Sequence, residues 1–366
     1  MTAQVKVEEL LIEEPRLRGL ILAIFAKAGS NPKECEIAAN HLLEANLRGH
    51  DSHGVGMVPI YIANALEGEM KLNHTPKPIL DQESMLIFDG ELGLGQSLAT
   101  YCFDQAIKRA KRSGSCVMAL RNSHHIGRIG HWSEQCAAEG LVSLHFVNVV
   151  SKPSVAPFGG RASRLGTNPI SIGIPRQNNF PVIVDFATSQ LAVGKIRVAY
   201  NKGVAAPAGA LIDSHGEPTT NPAALFEEPY GALRSFGEHK GWALAFACEA
   251  LAAALSGGKT QSGPKSRNAV INSLFSIVVS PEQMGTQDSY FHELEAFIRW
   301  VQTPPAGYEP SVLLPGDPER HKRAERLKTG IPVDSTTFNQ LIETGKSVGL
   351  TEAEMREMTQ PRSTGH

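Results

Sequence analysis

Residues 84–122, SMLIFDGELGLGQSLATYCFDQAIKRAKRSGSCVMALRN, read as strand, glycine turn, helix and second strand. The turn carries a G-x-G pair, Gly93 and Gly95, at the place where a dinucleotide fold puts its phosphate turn. The third glycine of that fingerprint is missing, and the second strand closes on Arg121 instead of an acidic residue. An arginine there can take a 2′-phosphate, but a lone G-x-G is a weak signal, and an ordinary strand-to-helix turn is the plainer reading. On this choice hangs the fold class: a Rossmann sheet, or another arrangement of strands and helices.

On either side of this stretch the pattern is mixed. SMLIFDG, SCVMALRN, LVSLHFVNVV, PISIGIP, PVIVDFA and NSLFSIVVS are short β-type runs broken by Gly, Pro and Asn. Between them lie helical stretches, including GHWSEQCAAEG and an apolar helix beginning near Gly241. Upstream, SNPKECEIAANHLLEANLRGH predicts a helix with Ser30 as N-cap, Pro32 in the first turn and Gly49 at its end; VPIYIANALEGEM predicts another. Downstream the chain returns to helix. The expected organisation is an α/β (α+β) chain in three parts: an N-terminal helical part (1–78), a central β-rich region (79–285) and C-terminal helices (286–366) that pack with the N-terminal part.

The chain has 366 residues, 42% hydrophobic and 20% charged, with 35 basic against 37 acidic side chains. A net charge of −2 argues against a partner held on a broad basic face, so no nucleic acid is expected. The first twenty residues carry Glu8, Glu9, Glu13 and Glu14 and no long apolar run, and the most apolar stretch, 241–255, is too short for a bilayer. No secretory or membrane segment is expected. Five scattered cysteines without a C-x-x-C pair fit free thiols in a reducing cytoplasm.

Three polar constellations stand out. In GHDSHGVGM (49–57) a helix gives way to a glycine-rich turn bearing Asp51, Ser52 and His53, and an imidazole can move a proton near neutral pH. A solvated turn capping the next helix is the plain alternative. RNSHHIGRIGHW (121–132) gathers His124, His125 and His131 with Gly127, Arg128 and Gly130. Adjacent histidines on a strand point to opposite faces, so an anion cradle of backbone and Arg128 is favoured over a metal. In GEHKGWALAFACEAL (237–251), His239 and Lys240 open an apolar helix whose N-terminus already carries partial positive charge, a conflict that an anionic ligand would relieve. The three together describe an anion-lined, histidine-bearing cleft.

GHDSHGVGMVPIY, NSHHIGRIGHW, VAPFGGRASRLGTNPISIGIP, VDFATSQLAVGK and EHKGWALAFACEALAAALSGG together resemble the type-2 malate/L-lactate dehydrogenase family, in order and over about residues 15–355. The resemblance implies a nicotinamide-dependent enzyme using NAD or NADP. Its cofactor domain is not a Rossmann fold: a largely antiparallel sheet is enclosed by N- and C-terminal helices that build a homodimer. The proton-donating histidine of the Ser-His-Gly motif falls on His53. One branch, which reduces Δ1-piperideine-2-carboxylate, suggests a relay of Ser52 and Asp185, and another family proposal gives acid–base work to His125. Cofactor contacts carry over to His53, to Gly127, Arg128 and Ile129, and to Ile183, Val184, Asp185, Phe186 and Ala187. They continue at His239, at Asn272 and at Gly316, Asp317, Pro318 and Glu319.

Several members place a carboxylate-holding arginine four residues after the motif histidine, where this chain has Met57; Tyr61, eight after it, matches. Met57 and Tyr61 are therefore the candidate substrate contacts. The reaction implied is hydride transfer between NAD(P)H and a small 2-oxo acid, with His53 supplying the proton. Met57 suggests a preference for bulky or aromatic 2-oxo acids. Two alternatives are kept: reduction of a cyclic imine, and a metal-dependent hydrolase built on His50, His53, His124 and His125.

Overall fold

A computed structural model describes residues 9–262, 269–304 and 312–360. Residues 1–8, which open the acidic leading segment, and the last six residues of the C-terminal part lie outside the described residues.

The six apolar runs all become strands of one seven-stranded sheet. Its order across the molecule is Lys77–Asp81, Met85–Asp89, Ser115–His124, Ile271–Val279, Val142–Val150, Ile170–Ile174, Val182–Phe186. The seventh member, Lys77–Asp81, escapes the sequence reading because it is a largely exposed edge strand containing Pro78, a residue tolerated in sheets only at such edges. Every pairing is antiparallel except one, between Met85–Asp89 and Ser115–His124. That exception is the strand–helix–strand unit of residues 84–122, whose crossover helix is Gly95–Ser113. A single parallel pair inside an antiparallel sheet is not a Rossmann arrangement.

The G-x-G pair has a packing reason. A Cβ at Gly95 would lie 2.2 Å from the carbonyl oxygen of His125 and 2.4 Å from that of His124. At Gly93 it would meet His74 and Leu98 side chains at 3.0 Å. The helix thus starts hard against the end of the strand Ser115–His124, and no phosphate has room between them. Its apolar face, Leu98, Ala99, Cys102, Phe103 and Ala106, then packs with Leu120, Trp132, Val147 and Leu274 into the core of the sheet.

A second core is built from both ends of the described chain. Leu17, Leu20, Ile24 and Phe25 of the helix Glu14–Lys27 meet Leu42 and Leu43 of Pro32–Leu47, Tyr61 and Ile62 of Val58–Leu66, and Phe338, Leu341 and Met355 near the C-terminus. Helix Pro32–Leu47 begins one residue later than expected. Asn31, not Ser30, caps it by accepting the Glu34 N–H at 2.9 Å, because Ser30 Oγ is taken by the Glu34 carboxylate at 2.7 Å. The helix Gln287–Gln302 stands apart from this core, tied through Tyr290 to the Pro175 carbonyl and through Glu295 to Arg176. A third, smaller core surrounds the short strands Leu211–Ile212, Pro218–Thr219 and Ala232–Leu233.

Gly95→Ala forces a methyl group into two carbonyl oxygens and is expected to lower the unfolding free energy by about 2–4 kcal/mol. Gly19→Ala, in the middle of the helix Glu14–Lys27 with nothing within 4 Å of the added carbon, is expected to hold or raise stability by about 0.5–1 kcal/mol. Denaturant titrations of the two variants check both, and equal effects would contradict the close-packing account.

Candidate active site

The turn after helix Pro32–Leu47 carries Asp51, Ser52, His53 and Gly54 through two successive 3-10 turns, Asp51–His53 and Val55–Met57. Asn46 organises it: its Nδ2 donates to Asp51 Oδ1 at 2.7 Å, and its Oδ1 accepts from the Val55 N–H at 2.8 Å. A Cβ at Gly54 would sit 2.1 Å from that Oδ1, so the turn closes on Asn46 only with glycine. Arg326, from the helix Asp317–Thr329, donates to both Asp51 oxygens at 2.6 and 3.1 Å and also reaches the Asn46 carbonyl. Asp51 is therefore spent on holding the turn.

His53 and His125 face each other. Their rings stack with centroids 5.6 Å apart and 24° between planes. Ser52 Oγ lies 3.0 Å from His53 Nδ1, and Tyr61 Oη lies 2.6 Å from His125 Nδ1. Burial pushes His53 down to about 4, with His50 and Arg128 adding repulsion. His125 is held well below its ordinary value, again mainly by burial and then by His53 and His124. Both imidazoles are neutral at pH 7.

The two rings border a cavity of about 780 Å³, which Met57, Phe186 and Ala187 also line. A second cavity of about 410 Å³ adjoins it, and Arg48, Arg128, Asp185 and Glu319 form walls of both. Ile183 and Gly316 line the second cavity, beside the apolar side chains of Phe180 and Leu327. The combined space is long, with a polar waist, on the scale of a ligand larger than a simple acid.

Other site expectations are placed as follows. Gly127, Ile129 and Asn272 border the larger cavity. Asn272 also braces it, accepting from the Ile126 N–H at 3.0 Å and donating to the Asn148 carbonyl at 3.0 Å. Tyr61 borders neither cavity: it is wholly buried behind His125, whose Nδ1 it meets at 2.6 Å. Val184 is likewise absent from both walls, its carbonyl accepting from Ser171 Oγ at 2.8 Å. Asp317 accepts from the Leu314 N–H at 2.8 Å and pairs with Arg320, while Pro318 follows it in the same helical turn, and both lie off the two walls. His239 is exposed, its ring 5.9 Å from that of Phe158 and outside both cavities. The neighbouring Lys240 is exposed as well.

Of two electrostatic expectations, one needs correcting. The Arg128 guanidinium, only 3% exposed, donates to Glu134 at 2.7 Å and lies 3.5 Å from Asp185, so its charge is shared with two carboxylates where it lines both cavities. Asp185 accepts from the Gly130 N–H at 3.0 Å, and among the described residues no hydrogen bond joins it to Ser52. The Ser52–Asp185 relay is therefore not formed; Asp185 is occupied by the opposite wall.

The hydrolase alternative fails on geometry. His124 turns away from His125, as neighbouring strand residues must, and lies 2.9 Å from Asn64 Nδ2. His50 sits 3.6 Å from Glu319. Among the described residues no three His, Cys, Asp or Glu side chains converge to hold a metal, and no helix is long and apolar enough to cross a membrane.

Several site residues carried no local signal. Asn46, His41, Gln96 and Arg326 look like ordinary helical polar residues in the sequence. For two of them a glycine gives a hint: a Cβ at Gly54 would meet Asn46, and one at Gly127, whose φ is +78°, would lie 2.1 Å from His41 Nε2, the atom that accepts the Arg128 N–H at 2.9 Å.

Comparison with known proteins agrees with this geometry. The family model for malate/L-lactate dehydrogenase matches residues 12–342. Hydroxycarboxylate dehydrogenase B of Escherichia coli (strain K12) is 45% identical over 94% of this chain and 96% of its own length. A solved E. coli structure described as a malate/lactate dehydrogenase superposes with a TM-score of 0.91 at 44% identity, covering 95% of this chain and 98% of that one. The Δ1-piperideine-2-carboxylate reductase of Pseudomonas syringae superposes with a TM-score of 0.78 at 30% identity, covering 92% and 99%. The chain belongs to the malate/L-lactate dehydrogenase family. It is an oxidoreductase, an NAD(P)-dependent 2-hydroxyacid dehydrogenase by family.

Burial lowers six imidazoles below 6.5: His41, His53, His124, His125, His131 and His145, with His53, His124 and His131 at about 4 and His145 at about 3. In the unfolded chain they take up protons near 6.5, while the folded chain resists, so stability is unaffected by them above about pH 7 and is lost as pH falls from about 6.5 through 4. Urea midpoints are expected to drop steeply over that window; a flat profile would show that the buried imidazoles are solvated.

Proposed function

We propose that this enzyme interconverts 2-oxo acids and 2-hydroxy acids by hydride transfer with NAD(P), and that His53 moves the proton on the substrate oxygen. The observation carrying this reading is the stacked pair of neutral imidazoles, His53 and His125, on the wall of a cavity that also holds Met57. The residues fit a dinucleotide: the two cavities share a wall at Asp185 and Glu319, and the candidate contacts Ile183, Gly316, Phe186 and Ala187 are distributed between them. When bound, the nicotinamide supplies the hydride acceptor or donor at the substrate carbon.

The chain's own part is proton handling and orientation. In oxidation, a neutral imidazole can accept the hydroxyl proton as the hydride leaves the substrate carbon; in reduction the same ring returns it to the oxygen. Ser52, 3.0 Å from His53 Nδ1, holds the ring. We extend the reading to a homodimer, which light scattering on the purified protein checks.

Met57 supports an apolar-tailed substrate. A thioether offers a polarizable surface and cannot grip a second carboxylate. Phenylpyruvate is therefore expected to give a kcat/KM about 10-fold or more above that of oxaloacetate. A panel of 2-oxo acids, with Δ1-piperideine-2-carboxylate included and NADH and NADPH run in parallel, tests the reading; turnover of the cyclic imine alone would move the enzyme to imine reduction.

Two variants sharpen the test. His53→Asn is expected to cut kcat at least about 10²-fold, and near-normal turnover of the folded variant would transfer the proton role to His125. Met57→Arg is expected to narrow or reverse the preference for phenylpyruvate, and an unchanged ratio would remove Met57 from the specificity account.

A further inference from the structure

We propose that Gln96 is a positioning residue for this reaction: acting through Tyr61, it decides which ring nitrogen of His125 carries the proton. In this arrangement His125 presents an N–H at Nε2 toward the cavity and leaves proton acceptance to His53.

Gln96 is 0% exposed and stands in the first turn of the helix Gly95–Ser113. It reaches Tyr61 only because Gly95 lets that helix start against the His124 and His125 carbonyls. Gln96 Nε2 donates to Tyr61 Oη at 2.9 Å, and Tyr61 Oη is 2.6 Å from His125 Nδ1. A phenol has one hydrogen. The oxygen could accept from both neighbours, but among the described residues Tyr61 has no other hydrogen-bond partner, so that would leave its buried O–H unpaired, and donation to His125 Nδ1 avoids this. A neutral imidazole has one proton, which then sits on Nε2. Because Nδ1 is engaged on the buried side, Nε2 is the atom left for the cavity that His125 borders.

The direction of the chain follows from which groups are left unpaired. In this orientation Gln96 Oε1 is a buried oxygen without a partner. In this orientation one Nε2 hydrogen meets Tyr61; turned over, Oε1 would take its place and the amide would give Tyr61 no hydrogen, and unpaired buried N–H groups are rarer than unpaired oxygens. Turned over, it would also make Tyr61 donate to Gln96 and force a proton onto His125 Nδ1.

The chemical consequence is a division of labour between the stacked rings. An N–H at His125 Nε2 can stabilise negative charge growing on the substrate oxygen, while His53 makes the proton transfer. This use of the tautomer rests on the proposed function, whereas the tautomer itself does not.

Side-chain ¹⁵N spectra of histidine-labelled wild-type protein near pH 7.5 test the tautomer directly. The expected result for His125 is a bare Nδ1 and a protonated Nε2; a protonated Nδ1 overturns the proposal, whether or not any variant folds. Gln96→Glu supplies the kinetic arm. Its carboxyl can donate to Tyr61 when protonated but only accept when ionised, so the His125 tautomer should reverse as pH rises. A new limb is expected in the kcat profile, falling about 10–100-fold toward high pH with the 2-oxo acid KM changed less than about 3-fold. Gln96→Met removes the donor that fixes Tyr61, so a mixture of both His125 tautomers is expected in its ¹⁵N spectrum; a pure Nε2-protonated form in that variant would overturn the proposal. A Gln96→Glu profile parallel to wild type would overturn the proposal. A wild type that reduces no 2-oxo acid with the expected ¹⁵N spectrum would instead defeat the functional reading and leave the tautomer assignment standing.

Discussion

The contact on which the site depends is the meeting of a helix start with a strand end. At Gly95 the helix Gly95–Ser113 comes within 2.2–2.4 Å, measured to the missing Cβ, of the carbonyls of His124 and His125. No other residue type permits that approach. Because the helix is so close, its first turn can place a side chain between two separate cores: Gln96 extends to Tyr61 of the terminal-helix core, and Tyr61 extends to His125 at the end of a sheet strand. The same feature that suggests a phosphate turn in the sequence is thus a joint that aligns the histidine.

Around this joint, ion pairs of differing exposure hold parts together. Arg128 is balanced by Glu134 and Asp185, Arg323 donates to both oxygens of Glu44, and Arg326 holds Asp51. Charges removed from water need such partners, and breaking one pair strands the other member. These pairs fasten the helix Asp317–Thr329 to the turn bearing His53 and to helix Pro32–Leu47, and the strand Val182–Phe186 to Arg128. The two neutral imidazoles share the cavity with the cationic side chains of Lys152, Lys195 and Arg197, which also line it.

That neutrality shapes the mechanism. An imidazole lowered to about 4 does not wait as a charged acid; it is a base for a hydroxyl proton until hydride arrival builds charge on the oxygen beside it. Two such rings, stacked at 5.6 Å, can differ in role only through what holds their far nitrogens: a serine hydroxyl for His53 and a tyrosine fixed by an amide for His125. The difference in function therefore lies one layer behind the atoms that meet the substrate.

The sequence by itself determined the local elements and the cast of the site. Six of the seven sheet strands were legible because apolar runs bounded by Gly, Pro and Asn are a local property, and the helix Pro32–Leu47 announced itself by its polar first residues and its closing Gly49. The DSHG turn and His125 were recognisable as motifs. The order of strands across the sheet, the missing Ser52–Asp185 contact, the placement of Tyr61 behind His125 and the work of Gln96 were decided only by the tertiary structure. The reason is distance along the chain. Gln96 and Tyr61 are separated by 35 positions, Tyr61 and His125 by 64, and Arg326 and Asp51 by 275, so their pairing depends on how the cores dock and leaves no periodic trace in the sequence.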